Sequence, residues 1–137
     1  MTHYSIAVLP GDGTGREVMI EGCALLDAIE ANTSLSFNQI IIPCGGQYYQ
    51  ETGLEWPDGS FEVCRDEADA ILLGAIGWPG VVCENGDLAG GQVVLGLRAG
   101  LELYANVRPI KLYNGVQHKV HGDFQSLDPR KSRYGNR

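Results

Sequence analysis

Apolar residues along the chain fall into short continuous runs and longer segments with helical spacing. Residues 4–10 form a short apolar run typical of a buried strand, and a turn of alternating glycines follows at residues 11–15. A helix is predicted from Thr14 to about Glu30, because apolar residues recur there along one helical face. That face comprises Val18, Met19, Cys23, Leu25, Leu26 and Ile29. Thr14 and Glu17 have the spacing of a capping box, which predicts that their side chains close the start of this helix.

The following segments repeat the order of strand and helix. Residues 35–43 alternate and then end in three isoleucines, which predicts a second strand, and a short helical stretch follows within residues 44–49. A turn at residues 56–59 precedes a helix predicted over residues 60–68. Residues 70–76 are a continuous apolar run, which suits a parallel strand covered on both faces. This order predicts an α/β fold with a mainly parallel sheet and flanking helices.

Charge and composition exclude several classes of protein. The 137 residues carry a formal net charge of −7, so no basic surface is expected for nucleic acid or for anionic membranes. No apolar run is long enough to span a membrane and the N-terminus has no secretory pattern, so a cytoplasmic location is expected. The cysteines form no C-x-x-C pair, which favours reduced thiols over a zinc site. The polar run at residues 118–123 lacks the spacing of metal ligands.

Two arginines are the first candidates for ligand binding. The helical spacing that surrounds Arg98 changes to an extended pattern over residues 104–113, so Arg98 is predicted on a helix and Arg108 on the strand that leaves it. The planar guanidinium group binds a carboxylate through two hydrogen bonds and keeps its charge. Two surface arginines surrounded by water would give the same spacing, and this alternative stays open at this point.

The glycine turn at residues 11–15 does not complete a dinucleotide fingerprint. Arg16 stands where the last glycine of G-x-G-x-x-G is required, and no acidic residue ends the second strand. The exit of the third strand, residues 74–80, is also rich in glycine. Ligands of open α/β sheets gather beyond the carboxyl ends of strands, so this loop is either a binding loop or an ordinary turn.

Residues 98–109, Arg-Ala-Gly-Leu-Glu-Leu-Tyr-Ala-Asn-Val-Arg-Pro, resemble the substrate-arginine segment of the β-decarboxylating dehydrogenases, the 3-isopropylmalate, isocitrate, homoisocitrate and tartrate dehydrogenases. Residues 9–18 resemble the opening segment of the same family, with Thr14 and Arg16 in place of the usual isoleucine and proline. The resemblance implies an incomplete isopropylmalate dehydrogenase-like fold. Residues 1–103 would be the N-terminal part of the first, cofactor-side domain, and residues 104–137 the start of the second, substrate and dimerisation domain.

The resemblance also implies a set of site residues. Arg98 and Arg108 would bind the carboxylates of a malate-type 2-hydroxy acid, and Val94 and Leu95 would face its γ-substituent. Two apolar residues there favour an alkyl substituent, as in 3-isopropylmalate, although core packing of the helix explains them nearly as well. The cofactor-binding candidates are Gly74, Ala75, Ile76, Gly77, Trp78, Pro79 and Gly91. Gly91 takes the position of a glutamate near the nicotinamide, and Trp78 stands where a glycine is frequent.

By the same resemblance, the full-length protein is expected to be a homodimer that uses NAD or NADP together with Mg²⁺ or Mn²⁺. Such enzymes oxidise a small 2-hydroxy acid by hydride transfer and then decarboxylate it with the help of the metal. Neither catalytic nor metal-binding residues are expected in this chain, because those groups would lie downstream of residue 137, and the chain alone is expected to be inactive. The alternatives are a tartrate, isocitrate or homoisocitrate dehydrogenase, or a non-catalytic truncated or regulatory relative.

Overall fold

A parallel three-stranded sheet forms the centre of the computed structural model, which describes residues 2–108. Strand β1 (Thr2–Leu9) lies between β2 (Leu35–Ile41) and β3 (Ala70–Leu73), and it is parallel to both. The predicted mainly parallel sheet is therefore confirmed. Strand β3 ends three residues before the predicted end at residue 76, because the chain turns after Gly74 toward the loop that follows β1.

Helical segments connect and follow the strands. Helix α1 (Thr14–Asn32) joins β1 to β2, and α2 (Gly46–Thr52) follows β2. Helix α3 (Ser60–Glu62) continues through a π-helical turn, Val63–Glu67, before β3. A second π-helical turn, Gln92–Gly96, leads into helix α4 (Leu97–Gly100), and these two segments together are called the 92–100 helix. Over residues 2–108, no helix has the length and apolar character needed to cross a membrane.

Helix α1 begins differently from the capping-box prediction. Its N-cap is Gly13, with φ of 47°, and no side chain caps the first turn. The Gly15 N–H instead donates to the Asp12 carbonyl at 2.8 Å, and the Arg16 N–H donates to the Gly13 carbonyl at 3.1 Å. Because the helix starts at Thr14 itself, Thr14 is not at the N-cap and its side chain does not close the first turn.

An apolar cluster lies on each of the two faces of the sheet. Alternate residues of β1 point to opposite faces, as the period of a strand requires. On one face, α1 packs Met19, Cys23 and Leu26 against the sheet, as predicted. Val18 and Leu25 were also predicted on the packed face, but they are 66% and 61% exposed. They are exposed because the contact stripe follows the i, i+4, i+7 spacing of residues 19, 23 and 26, and these two residues lie beside it.

The opposite face holds the larger cluster. Buried side chains of β1, of the segment after β2, of the 63–67 turn and of the 92–100 helix meet there: Ala7, Leu9, Ile42, Cys44, Cys64, Val93 and Leu97. The 92–100 helix is thus anchored on the sheet through Val93 and Leu97. Burying side chains of this size stabilises the fold by about 1.5–3 kcal/mol each.

The chain divides into two compact units, residues 1–102 and residues 103–137. Of the second unit the structure describes residues 103–108, which form neither helix nor strand. The strand predicted to carry Arg108 is therefore absent over residues 104–108, and its remaining part lies outside the described residues. The polar run at residues 118–123 also lies outside them. The assignment of the two segments to a first and a second domain stays a prediction.

Candidate functional site

Three loops leave the carboxyl ends of the three strands and meet at one edge of the sheet. They are residues 10–13 after β1, residues 42–45 after β2 and residues 74–79 after β3. In a parallel sheet this edge collects the strand exits, and it is where open α/β sheets bind ligands. The predicted cofactor loop, residues 74–79, is one of the three.

Asp12 joins the loops after β1 and β3 to the start of α2. Its side chain is buried, with 2% of its surface exposed. Oδ2 accepts hydrogen bonds from the backbone N–H of Gly46 at 2.8 Å and of Gly77 at 2.9 Å, and Oδ1 accepts one from Gln47 N–H at 2.8 Å. The Asp12 N–H in turn donates to the Ala75 carbonyl at 2.8 Å. One carboxylate thus caps the start of α2 and fixes the middle of the predicted cofactor loop.

Close packing around Asp12 leaves no room for side chains at two neighbouring glycines. A Cβ on Gly45, which has φ of 107°, would lie 2.5 Å from an Asp12 carboxylate oxygen, and one on Gly46 would lie 2.8 Å from Trp78 Cβ. The Trp78 ring also lies against Gly13, with Cζ3 3.5 Å from the position of a Cβ there. Trp78 is therefore packed across the starts of α1 and α2.

Glu55 forms a second buried carboxylate centre beside the first. It is 8% exposed, and its Oε2 accepts hydrogen bonds from the backbone N–H of Gln92 at 2.8 Å and of Val93 at 3.4 Å. Its Oε1 accepts the Cys83 thiol at 3.3 Å, and its own carbonyl accepts Gly45 N–H at 2.8 Å. Glu55 therefore caps the start of the 92–100 helix and connects it with two loops.

Sequence reasoning assigned no role to Asp12 or Glu55. One local signal was available for Asp12, since an aspartate in a glycine turn at a strand end is a frequent acceptor of backbone N–H groups. No comparable signal marked Glu55, because its partners lie 28 to 38 residues away along the chain.

Six of the predicted cofactor residues are consecutive and form one partly exposed loop surface, residues 74–79. Ala75, Gly77 and Pro79 are exposed, while Gly74, Ile76 and Trp78 are half-buried. Gly91 lies next to this surface, because a Cβ built on its neighbour Gly90 would lie 3.7 Å from Ile76 Cβ. A Cβ on Gly91 itself would meet no atom within 4 Å, so a longer side chain would fit there.

The predicted substrate residues lie on the 92–100 helix and beyond it. Val93 and Leu97 are the residues that fill the core, whereas Val94 is half-buried and Leu95 is 65% exposed. Core packing therefore does not explain Leu95. Arg98 is exposed on the same helix. Arg108 is exposed in the second unit, and its convergence with Arg98 stays a prediction.

The four cysteines are free thiols, and three of them have shifted titration. Burial raises the pKa of Cys44 from 9.0 to about 11, with a smaller contribution from the Asp12 carboxylate and an opposing one from the Gly11 backbone. Burial also raises the pKa of Cys64. Desolvation is the largest cause that raises the pKa of Cys83, and the hydrogen bond to Glu55 raises this pKa further. None of these three is therefore an activated thiolate at neutral pH.

Residues 2–108 hold no group of three histidine, cysteine, aspartate or glutamate side chains placed to bind a metal ion. The two carboxylates buried at the strand exits already accept backbone and thiol hydrogens. What the fold and this edge define is an α/β protein with a partly exposed loop surface at the strand exits. The 92–100 helix, which exposes Leu95 and Arg98, begins close to that loop, since Gly90 lies against Ile76.

Comparison with known proteins identifies the family. The family model for isocitrate/isopropylmalate dehydrogenase matches residues 5–126. The chain is 39% identical over 114 residues to a 3-isopropylmalate dehydrogenase of Clostridium acetobutylicum, covering 83% of this chain and 32% of the relative. It is 40% identical over 116 residues to the 3-isopropylmalate dehydrogenase of Thermotoga maritima, covering 82% and 32%.

A solved structure also resembles this chain. The apo form of a β-decarboxylating dehydrogenase from Thermococcus kodakarensis superposes with a TM-score of 0.57 at 32% identity, covering 74% of this chain and 27% of that one. The chain belongs to the isocitrate/isopropylmalate dehydrogenase family. It spans about a third of the length of the curated relatives that it matches.

Proposed function

We propose that this chain is the N-terminal segment of an NAD-dependent dehydrogenase that oxidises and decarboxylates a malate-type acid with an alkyl substituent, similar to 3-isopropylmalate. The observation that carries the proposal is that the 92–100 helix has one buried face and one exposed face. Val93 and Leu97 anchor it in the core, while Leu95 and Arg98 are exposed. An apolar side chain three residues from an arginine suits a ligand with an alkyl group and a carboxylate.

Each substrate residue has a distinct part in this proposal. Arg98 and Arg108 bind the carboxylates of the acid, and Val94 and Leu95 contact its alkyl substituent. Isocitrate carries a third carboxylate in place of the alkyl group, and burying that charge against Leu95 without a partner would be unfavourable. The alkyl acid is therefore preferred over isocitrate, homoisocitrate and tartrate.

The strand-exit loops suit a nicotinamide cofactor. Gly77 and Gly91 have open space where a Cβ would stand, and Ala75 and Pro79 are exposed between the half-buried residues of the same loop. A planar ring can approach the backbone closely at such positions. The cofactor would accept the hydride from C2 of the acid. The chain's own contribution is to hold this loop in place and to exclude water from one side of the ring.

No step through a metal is assigned to residues 2–108, because these residues do not provide a set of ligands. The Mg²⁺ or Mn²⁺ ligands and the proton-transfer groups of the complete enzyme are proposed to lie downstream of residue 137. The complete enzyme is proposed to be a cytoplasmic homodimer. The 137-residue chain by itself is proposed to bind the acid and not to turn it over.

Calorimetric titration with 3-isopropylmalate tests the proposal. Replacing Arg98 by glutamine removes a charge-assisted hydrogen bond, so the acid should bind at least about tenfold more weakly. The matched control is Arg65→Gln, since Arg65 is also an exposed arginine and pairs with Asp66 at 2.7 Å. NAD and Mg²⁺ added to the native chain should yield no NADH. Equal affinity in both variants, or no binding by the native chain, would contradict the proposal.

A further inference from the structure

The buried carboxylate of Glu55 has no part in the roles assigned so far. It is not exposed to a ligand, and no basic side chain forms an ion pair with it among residues 2–108. A buried carboxylate is costly unless hydrogen-bond donors compensate it, and its donors here are two backbone N–H groups and one thiol. The hydrogen bonds from these three donors compensate the cost of burying the Glu55 carboxylate, and the same bonds hold the three donors in place.

Those groups belong to two segments that border the proposed site. Gln92 and Val93 begin the 92–100 helix, which carries Leu95 and Arg98. Cys83 lies in a small hairpin, residues 81–89, which is closed by an antiparallel bridge between Val82 and Leu88. The hairpin runs directly into the helix through Ala89 and Gly90, both of which are buried.

The first N–H groups of a helix have no partner within the helix, and a side-chain acceptor fixes the direction in which the helix starts. No side chain next to residue 92 caps this helix. Glu55, 37 residues earlier, supplies the acceptor at 2.8 Å from the Gln92 nitrogen. Its negative charge also suits the positive end of the helix dipole.

We infer that Glu55 is a positioning residue for substrate recognition: it sets the orientation of the helix that presents Leu95 and Arg98, and through the Cys83 thiol it ties the 81–89 hairpin to that helix. The inference rests on the proposed function for the role of Leu95 and Arg98. Its structural part, the joint anchoring of helix and hairpin, is tested separately.

Amide hydrogen exchange of the ¹⁵N-labelled 137-residue chain is the first measurement. In Glu55→Ala, exchange should accelerate about tenfold or more at Gln92 and Val93, and also at Ala89, whose N–H bonds the Val81 carbonyl in the hairpin. Helix α1 should keep its rates. The matched control is Glu51→Ala, an exposed glutamate four residues earlier, which should change none of these rates.

Conservative variants separate positioning from a general loss of stability. Glu55→Gln keeps one carbonyl oxygen as an acceptor and should restore most of the protection at Gln92. Cys83→Ala should accelerate exchange in the hairpin alone, and Cys83→Ser, which keeps a donor, should resemble the native chain. Equal acceleration in α1 and the 92–100 helix, or no acceleration in Glu55→Ala, would overturn the inference.

A titration with 3-isopropylmalate supplies the functional readout. If the native chain binds the acid, Glu55→Ala should weaken binding at least about fivefold and Glu55→Gln by less, because the helix that carries Arg98 is no longer held in one orientation. Undiminished affinity in Glu55→Ala would overturn the positioning role. No binding by the native chain would overturn the proposed function and the substrate role of Glu55, and the exchange rates would still decide the anchoring.

Discussion

Asp12 shows how much of this site depends on a single side chain. Three backbone N–H groups, two at the start of α2 and one in the 74–79 loop, bond its carboxylate, and the partners are 34 to 65 residues away in sequence. Backbone groups buried without a partner are costly, so these three N–H groups would destabilise the fold if the carboxylate were removed. The Asp12 carboxylate thus holds the predicted cofactor loop through the backbone N–H of Gly77.

Replacing Asp12 by alanine should lower the free energy of unfolding by about 3–5 kcal/mol, because it leaves three N–H groups without an acceptor. Asp12→Asn keeps one acceptor oxygen and should cost about half as much. Urea denaturation measures both values. The control Asp58→Ala, at an exposed position, should stay within about 0.5 kcal/mol of the native chain. A cost below about 1 kcal/mol for Asp12→Ala would show that the loops hold without it.

Cys44 gives a prediction about pH. Its thiol keeps its proton in the fold up to about pH 11, whereas in the unfolded chain it ionises near 9.0. Between these values the unfolded state binds fewer protons, so stability is fully present below pH 9.0 and falls as the pH rises toward 11. Two pKa units correspond to about 3 kcal/mol.

The contribution of Cys44 is obtained by comparing urea denaturation of the native chain and Cys44→Ala at several pH values. The variant loses the packing of a buried thiol at every pH, but its stability should fall less steeply above pH 9.0. Parallel curves for the two proteins would show that Cys44 does not titrate differently in the fold.

Among the secondary-structure elements, the sequence predicted the strands and helices well where burial sets the spacing of the apolar residues. Continuous or alternating apolar runs identified β1, β2 and β3, since each strand contributes side chains to both covered faces. The prediction for the start of α1 was wrong in one respect, because a backbone turn at Gly13 takes the place of the predicted capping box. Local pattern does not distinguish two ways of pairing the same N–H groups.

The candidate site was predictable only in part for a related reason. The glycine-rich strand exits are visible along the chain, and their location at one edge follows from the parallel order of the strands. The arginine on the 92–100 helix is visible as well, but its place relative to this edge does not follow from the strand order. The pairings of Asp12 and Glu55 depend on which loops meet in space. Those contacts cross 28 to 65 residues and leave no spacing that sequence alone would reveal.

The 92–100 helix carries the prediction about specificity. Leu95 is 65% exposed, so Leu95→Ser should change stability by less than about 0.5 kcal/mol. It should weaken binding of 3-isopropylmalate about three- to tenfold, since the alkyl group loses an apolar contact. Malate, which lacks that alkyl group, should bind both proteins equally.

Calorimetric titration with the two acids measures this difference, and Ile20→Ser is the matched control. Ile20 is 69% exposed on α1 and is not one of the residues proposed to bind a ligand, so its replacement should affect neither acid. A similar loss for malate and 3-isopropylmalate in Leu95→Ser would show that Leu95 does not contact the alkyl substituent.

At the scale of the whole molecule, residues 2–108 build a surface and its support. A parallel sheet with both faces covered brings three loops to one edge, two buried carboxylates fix those loops and the neighbouring helix, and the exposed residues of the same segments remain available to ligands. This division explains why the residues proposed to bind ligands are exposed or half-buried, whereas Asp12 and Glu55, which orient them, are buried.

The most direct test of this account is a nuclear magnetic resonance titration of the ¹⁵N-labelled chain, first with NAD and then with 3-isopropylmalate. NAD should shift the amide signals of residues 74–78 and Gly91, and the acid should shift those of Val94, Leu95 and Arg98. Helix α1 should show no change beyond its first turn. Shifts confined to the exposed side of α1, or no shifts at saturating concentrations of both ligands, would contradict it.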